Sequence, residues 1–174
     1  MHIEFTQADD SHVESLVELV NSAYRGDSSK VGWTTEADIL GGQRVDKQGI
    51  TDLIHKDGSI VLIAEDDDTG NLVGCVHLEH QDEKCYLGML TVDPKLQKKS
   101  IGKMLLAESE ALAQFWDCNT IFMTVISVRK ELIAWYEKHG FRLTGEKKPF
   151  PYGDERFGIP KVENLEFVVL AKKI

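Results

Sequence analysis

The sequence predicts a mixed α/β domain whose central sheet has about six or seven strands, with about four helices on its faces. Two observations predict this fold class. Helical and strand-like patterns of apolar residues alternate along the whole chain, and 174 residues is the usual size of one domain. Because no internal repeat or low-complexity tract divides the sequence, we expect a single domain over residues 1–174.

The first half of the chain predicts three strands and two helices. The strands are residues 3–7, 59–65 and 72–79. Residues 9–11 supply capping side chains for a helix whose apolar residues recur at helical spacing up to Ala23. A second helix is expected over residues 46–56. Between the two helices, residues 24–36 mix turn-forming and aromatic residues, which is typical of a binding loop.

The second half predicts four strands and two helices. The strands are residues 85–92, 120–127, 141–147 and 165–171. One amphipathic helix covers residues 101–116, and another covers residues 130–139. Gly140 suits the left-handed residue that follows a helix end. Residues 149–160 form a second long irregular stretch.

Charge and cysteine content narrow the expected location and partners. The 20 basic and 29 acidic residues give a net charge of -9, which disfavours nucleic acid or an anionic membrane as the main partner and fits an amine substrate better. Cys75, Cys85 and Cys118 form no Cys-x-x-Cys pair, so reduced thiols are expected. Without a signal-like start or an apolar stretch of about 20 residues, the protein is expected in the cytoplasm.

The segment from Gln97 to Lys103 joins a strand to a helix through a turn of small residues. The first N–H groups of a helix lack internal partners and carry the positive end of its dipole, so such a turn lets them close on phosphate oxygens. Ser100 and Gly102 leave that approach open. Three lysines add positive charge: Lys98, Lys99 and Lys103. The segment predicts a phosphate-bearing ligand, with a purely architectural turn as the alternative.

This segment also resembles a family motif. The pattern Val92-x-Pro94-x-x-Gln97-x-x-Ser100-x-Gly102 is similar to the cofactor motif of the GNAT superfamily of N-acetyltransferases, Gln/Arg-x-x-Gly-x-Gly/Ala. Ser100 replaces the first glycine. A serine leaves the phosphate approach open but carries strain if its φ is positive.

A second motif agrees with the first. The segment from Leu132 to Phe141 resembles the later motif of that superfamily, in which a helix carrying a tyrosine, here Tyr136, is closed by Gly-Phe. The resemblance covers roughly residues 59–141. It implies a GNAT-like fold and acetyl-CoA as co-substrate, without a metal.

The resemblance assigns residues to the cofactor and to catalysis. The pantetheine arm would pair with Leu90, Thr91 and Val92, and the Leu90 backbone N–H would stabilise the oxyanion. Tyr136 would protonate the leaving thiolate, with buried packing as the alternative role. Arg129 stands where the family commonly has an asparagine, and it could reach either the phosphates or an acidic substrate group. The predicted cofactor residues are Leu90, Thr91, Val92, Gln97, Lys98, Lys99, Ser100, Ile101, Gly102, Lys103 and Arg129.

The general base is sought outside the motifs. Some relatives place a glutamate where this chain has Thr124, so that base is absent. His77 and Glu79 alternate on one strand and therefore share a face, and Glu79 is the predicted base, acting through water. The alternative is that His77 and Glu79 both simply face solvent. His80 lies nearby, but no third spaced ligand accompanies these residues, so we expect no metal site.

The acetyl acceptor should be bound by the two irregular stretches. The candidate substrate residues are Tyr24, Trp33 and Tyr152, although either stretch could equally form an interface. The sequence therefore predicts an acetyl-CoA-dependent N-acetyltransferase that acts on an amine of a small molecule or peptide by direct attack on the thioester. The alternative is a non-catalytic acyl-CoA-binding module. The resemblance also allows a homodimer.

Overall fold

A computed structural model describes residues 1–97, 99–155 and 158–174. Nine strands are present in these described residues. They are β1 (Ile3–Gln7), β2 (Leu40–Gly41), β3 (Ser59–Asp66), β4 (Asn71–Gln81), β5 (Lys84–Val92), β6 (Thr120–Ile126), β7 (Arg142–Pro149), β8 (Ile159–Pro160) and β9 (Glu166–Lys173). Seven of them form the central sheet in the order β1-β3-β4-β5-β6-β9-β7. The predicted mixed α/β fold with a sheet of six or seven strands is confirmed.

Five α-helices accompany the strands over the same described ranges. They are α1 (Val13–Tyr24), α2 (Gly26–Ser29), α3 (Lys47–His55), α4 (Ile101–Phe115) and α5 (Lys130–Lys138). The four longer helices were predicted within two residues at most boundaries. Asp46 caps α3 by accepting from the Gly49 N–H at 2.7 Å, which explains where that helix begins. The short α2 was not predicted.

The sheet is antiparallel except between β5 and β6, and those two strands part soon after they meet. Their parallel pairing covers only residues 84–86 and 120–122. Beyond it β5 continues along β4, whereas β6 continues along β9. A gap therefore opens in the middle of the sheet, at the C-terminal ends of two adjacent strands.

A β-bulge lies on β5 beside this gap. Gly88 pairs with His77 and Thr91 pairs with Cys75, so Met89 and Leu90 face a single residue of β4. Met89 has a φ of +55°, which is uncommon for a side chain of this kind. The bulge takes this part of β5 out of the regular hydrogen-bond ladder.

Both faces of the sheet are covered by helices. One apolar cluster packs α1 and α3 against the sheet and includes Leu16, Ile50 and Ile63. The other covers the opposite face with α4 and α5, and Leu105 is fully buried within it. A smaller cluster around Leu40 lies under a two-stranded sheet of β2 and β8, which the sequence did not predict.

Replacement of Leu105 by alanine should destabilise the fold by about 2–5 kcal/mol, because the side chain leaves a cavity in a packed core. Urea denaturation monitored by circular dichroism measures the change. Met104→Ala is the matched control, since Met104 precedes Leu105 on α4 but is 36% exposed. A loss for Leu105→Ala no larger than that of the control would contradict the assigned packing of α4.

Candidate active site

The phosphate turn begins α4 in an unusual conformation. Ser100 is the N-cap residue and has a φ of +64° and a ψ of 14°, in the left-handed region. Its side chain makes no capping hydrogen bond within the described chain, so the first N–H groups of α4 stay open to an anion. The strain expected for a serine at positive φ is therefore present at this position.

A cavity of about 310 Å³ lies at this turn, and we call it the first cavity. It runs between the C-terminal part of β5, the start of α4 and one face of α5. Nine of the predicted cofactor residues line it: Leu90, Thr91, Val92, Gln97, Ser100, Ile101, Gly102, Lys103 and Arg129. Lys99 is exposed and does not line it. Lys98 lies outside the described residues.

The loop before β2 closes over this cavity. The Trp33 N–H donates to Gln97 Oε1 at 2.7 Å, and the Trp33 ring lies 6.3 Å from the Trp135 ring. A Cβ at Gly32 would lie 2.5 Å from Gln97 Oε1, so a larger residue there would displace the Gln97 side chain that accepts this hydrogen bond. Thr34 binds Glu131 at 2.8 Å, which ties the same loop to α5.

A second cavity of about 280 Å³ lies in the gap between β5 and β6. Its walls include residues 87–90 of β5 and residues 123–126 of β6. Five described residues line both cavities: Tyr24, Leu90, Arg129, Leu132 and Tyr136. We call these five residues the junction, because the two cavities meet there on either side of the β5 bulge.

The hydroxyls of the two tyrosines at the junction differ in their hydrogen bonding. The Tyr24 hydroxyl donates to the Leu90 carbonyl at 2.7 Å. Tyr136 is buried against Phe141 and Trp135, and burial raises its pKa. Within the described chain its hydroxyl has no hydrogen-bond partner. Tyr136 is therefore protonated at neutral pH, and it lines both cavities.

Arg129 is occupied by the loop instead of reaching the phosphate turn. Its guanidinium lies 2.9 Å from Glu36 Oε2 and donates to Thr34 Oγ1 at 2.7 Å. Arg25 reaches the other oxygen of Glu36 at 2.9 Å. All three charged side chains are buried. The structure thus brings Arg129 to the junction, where it fastens the loop to the start of α5.

The structure does not bring the predicted base to either cavity. Glu79 pairs with Lys56 and accepts from Gln81 at 3.1 Å. His77 is buried and lies 2.8 Å from the Ser59 hydroxyl, so the expectation that it faces solvent is wrong. Burial lowers the pKa of His77 to about 4, which keeps the ring neutral. The geometry therefore does not support Glu79 as a base.

Tyr152 likewise lies away from both cavities. Its hydroxyl donates to the Val162 carbonyl at 3.2 Å and accepts from the Leu165 N–H at 2.7 Å, which holds the loop before β9. The neighbouring Phe150 lines the second cavity instead. Sequence reasoning missed Arg44 and Trp135, which also line the cavities. Trp135 could have been found from its position beside Tyr136, whereas Arg44 stands in no recognisable pattern.

A match to a family model decides the assignment of the chain. The model of the acetyltransferase (GNAT) family matches residues 13–141, which is most of the sequence. The chain belongs to this family. The resemblance of the two motifs is thereby confirmed, and the protein is an acetyl-CoA-dependent acyltransferase.

Solved structures of other acetyltransferases share the fold. The PaiA N-acetyltransferase from Thermoplasma acidophilum in complex with coenzyme A has a TM-score of 0.74 at 21% identity, with 100% of each chain covered. The ribosomal-protein-alanine N-acetyltransferase from Brucella melitensis has a TM-score of 0.71 at 19% identity, with 98% of this chain and 99% of that chain covered. A GNAT-family acetyltransferase from Staphylococcus aureus Mu50 has a TM-score of 0.69 at 20% identity, with 99% of both covered. No protein of curated function matches the sequence.

The residues present fit acetyl-CoA, which supplies the acetyl thioester. The open N–H groups at the start of α4 and the Lys103 side chain suit its phosphates, and the first cavity connects them to the junction. Among residues 1–97, 99–155 and 158–174, no group of three His, Cys, Asp or Glu side chains could hold a metal ion. In the same ranges, every helix is too short or too polar to span a membrane.

Replacement of Ser100 by glycine should stabilise the protein by about 0.5–1 kcal/mol. Release of the left-handed strain is worth about 1–2 kcal/mol, and the greater freedom of glycine in the unfolded chain offsets about half of it. Chemical denaturation measures this gain, and calorimetry should show that acetyl-CoA binding is retained. Ser100→Ala, which keeps the strain, should give no gain. Equal stabilities of the glycine and alanine variants would contradict a left-handed Ser100.

Proposed function

We propose that the protein transfers the acetyl group of acetyl-CoA to an amine of a small molecule or peptide, by direct attack on the thioester. The observation that carries the proposal is the junction, where the cofactor cavity and a second cavity meet beside a free phenol and a bulged strand. The first cavity suits the cofactor, and the second suits the acceptor. Attack across the junction joins them without a covalent enzyme intermediate.

The cysteines support direct attack. Cys75, Cys85 and Cys118 are free and buried, and none lines either cavity. Burial raises the pKa of Cys75 and of Cys85 to about 12, so neither forms a thiolate at neutral pH. A thiol in this state is a poor nucleophile, which leaves the acceptor amine as the attacking group.

In the proposed reaction, Tyr136 acts as the acid that protonates the leaving sulfur. The amine nitrogen forms a bond to the carbonyl carbon, the carbon–sulfur bond breaks, and the Tyr136 hydroxyl gives its proton to the sulfur. The proton left on the nitrogen passes to water, which later restores the phenol. Because burial raises the pKa of Tyr136, the phenol starts each turnover protonated.

The Leu90 backbone N–H is the proposed donor to the developing oxyanion. Leu90 lies in the β5 bulge and lines both cavities, and the Tyr24 hydroxyl fixes the peptide on its carbonyl side at 2.7 Å. A donor that is already oriented costs no rearrangement during the reaction, and one such hydrogen bond contributes about 3–4 kcal/mol.

Replacement of Tyr136 by phenylalanine should lower kcat by about a hundredfold or more, because the leaving sulfur loses its proton donor. The KM for acetyl-CoA should stay nearly unchanged, since the ring and its contacts remain. Steady-state kinetics that follow release of free thiol measure both values. An unchanged kcat would show that Tyr136 is not the acid. Binding of acetyl-CoA by the unmodified protein without turnover of any amine would favour the non-catalytic acyl-CoA-binding module.

The pH dependence of kcat/KM should be set by the pKa of the acceptor amine. None of the five junction residues carries a carboxylate or an imidazole, and Glu36, which lines the second cavity, is bound by two arginines. The amine should therefore react only after it has lost its proton. We expect kcat/KM to rise about tenfold per pH unit below the pKa of the amine and to level off above it.

Two acceptors whose amines differ in pKa provide the control for this dependence. The rising part of the profile should move by the difference between the two amine pKa values. A rising part that stays at the same pH for both acceptors would instead indicate a base on the enzyme.

A further inference from the structure

The second cavity has an excess of positive charge. Three arginines and one glutamate line it among the described residues, so its formal charge is +3 - 1 = +2. This sign is opposite to that of the whole chain, which carries a net charge of -9. The remaining wall is largely apolar and includes Leu40, Phe150 and Phe167. The excess charge therefore faces a wall that is partly apolar.

Glu36 is the one carboxylate that lines the second cavity among the described residues, and it is already engaged in ion pairs. Glu36 is buried, and its two oxygens lie 2.9 Å from Arg25 and 2.9 Å from Arg129. One carboxylate cannot neutralise two guanidinium groups, and arginine stays protonated even when buried. Nε of Arg129 has no hydrogen-bond partner among the described residues, although more than nine-tenths of the side chain is buried. This atom lies at the long ion-pair distance of 3.9 Å from the carboxylate of Glu131, an exposed residue outside both cavities.

Arg44 supplies the third positive charge. Its guanidinium carbon lies 5.5 Å from the centre of the Tyr24 ring, and the side chain is half-buried. No carboxylate in the described chain pairs with this guanidinium. Tyr24 is itself a junction residue, and its hydroxyl donates to the Leu90 carbonyl at 2.7 Å, so Arg44 lies directly beside the junction where acetyl transfer is proposed.

These observations favour an anion in the second cavity. A guanidinium in an apolar, partly buried site lacks part of its hydration, and a carboxylate restores the lost interactions through charge-assisted hydrogen bonds. The anion and the reacting amine must also belong to one molecule of modest size, since the cavity holds about 280 Å³.

We propose that the acetyl acceptor carries a carboxylate close to its amine and an apolar side chain, as an apolar amino acid does. The carboxylate binds at Arg44, the apolar side chain packs against the wall of the second cavity, and the amine faces the junction. This inference rests on the proposed acetyl transfer and specifies its acceptor.

Matched acceptors test this inference. Leucine, methionine and phenylalanine are each compared with their amides and with the amines that lack the carboxyl group, and release of free thiol from acetyl-CoA is followed. Each kcat/KM is calculated from the concentration of unprotonated amine, because the acid, the amide and the decarboxylated amine differ in amine pKa. We expect the acid to exceed its amide and its decarboxylated amine in kcat/KM by about tenfold or more for at least one side chain.

A charge-removing variant gives a second readout. Arg44→Gln should raise the KM for the preferred acid by about tenfold to a hundredfold, and it should leave the KM for acetyl-CoA and for the corresponding amide nearly unchanged. Arg142→Gln removes the same charge from an exposed residue outside both cavities, so it should change none of these values. Arg44 is chosen over the buried arginines because its loss should not break the Glu36 ion pairs.

The possible outcomes separate this inference from the proposed function. Turnover of amides or simple amines at rates equal to or above those of the acids would overturn the carboxylate site while leaving acetyl transfer intact. An equal effect of Arg44→Gln on acids and amides would overturn the role of Arg44. Acetyl-CoA binding with no thiol release from any acceptor would overturn the proposed transfer itself, and the inference with it.

Discussion

The early parting of β5 and β6 is the constraint on which the site depends. The two strands pair over three residues and then follow different neighbours, so backbone groups in the middle of the sheet are left beside cavities. An unpaired backbone group inside a protein is costly unless something else satisfies it. Here the hydroxyl of Tyr24 meets part of that requirement by donating to the Leu90 carbonyl. The remaining groups lie beside the second cavity, which suits the gap to bind a ligand.

The buried ion pairs of Glu36 determine how the gap is enclosed. Glu36 belongs to the loop before β2, whereas Arg129 lies 93 residues later at the start of α5. Their contact places this loop over the first cavity, together with the bond from Trp33 to Gln97. Breaking one partner of a buried pair leaves an uncompensated charge, so such a contact strongly resists loosening. The same contact brings arginines to the second cavity. The closing of the loop over the first cavity and the positive charge of the second cavity therefore have one structural cause.

Much of the fold was predictable because local patterns determine it. Six of the seven strands of the central sheet and the four long helices carry runs or periodic patterns of apolar residues, and the phosphate turn carries its small residues in sequence. Strand β7, in contrast, is almost entirely polar and exposed. Strands β2 and β8 have two residues each, too few for any period to be recognised. The site was predictable where its residues lie in a motif, as with Tyr136, or in the aromatic-rich loop, as with Tyr24. Arg44 and Glu36 reach it through tertiary packing, and Glu79 shares a strand with buried residues but pairs outward with Lys56.

Overall charge and local charge have separate physical roles in this protein. A net charge of -9 acts at long range, where salt screens it within about 10 Å, and it mainly affects solubility and encounter. Inside the second cavity, low polarity strengthens each interaction, so three guanidinium groups outweigh many distant surface carboxylates. The sequence-wide charge indicated only an amine substrate. The cavity instead favours an acceptor whose amine is accompanied by an anionic group, because recognition depends on the charges that the ligand touches.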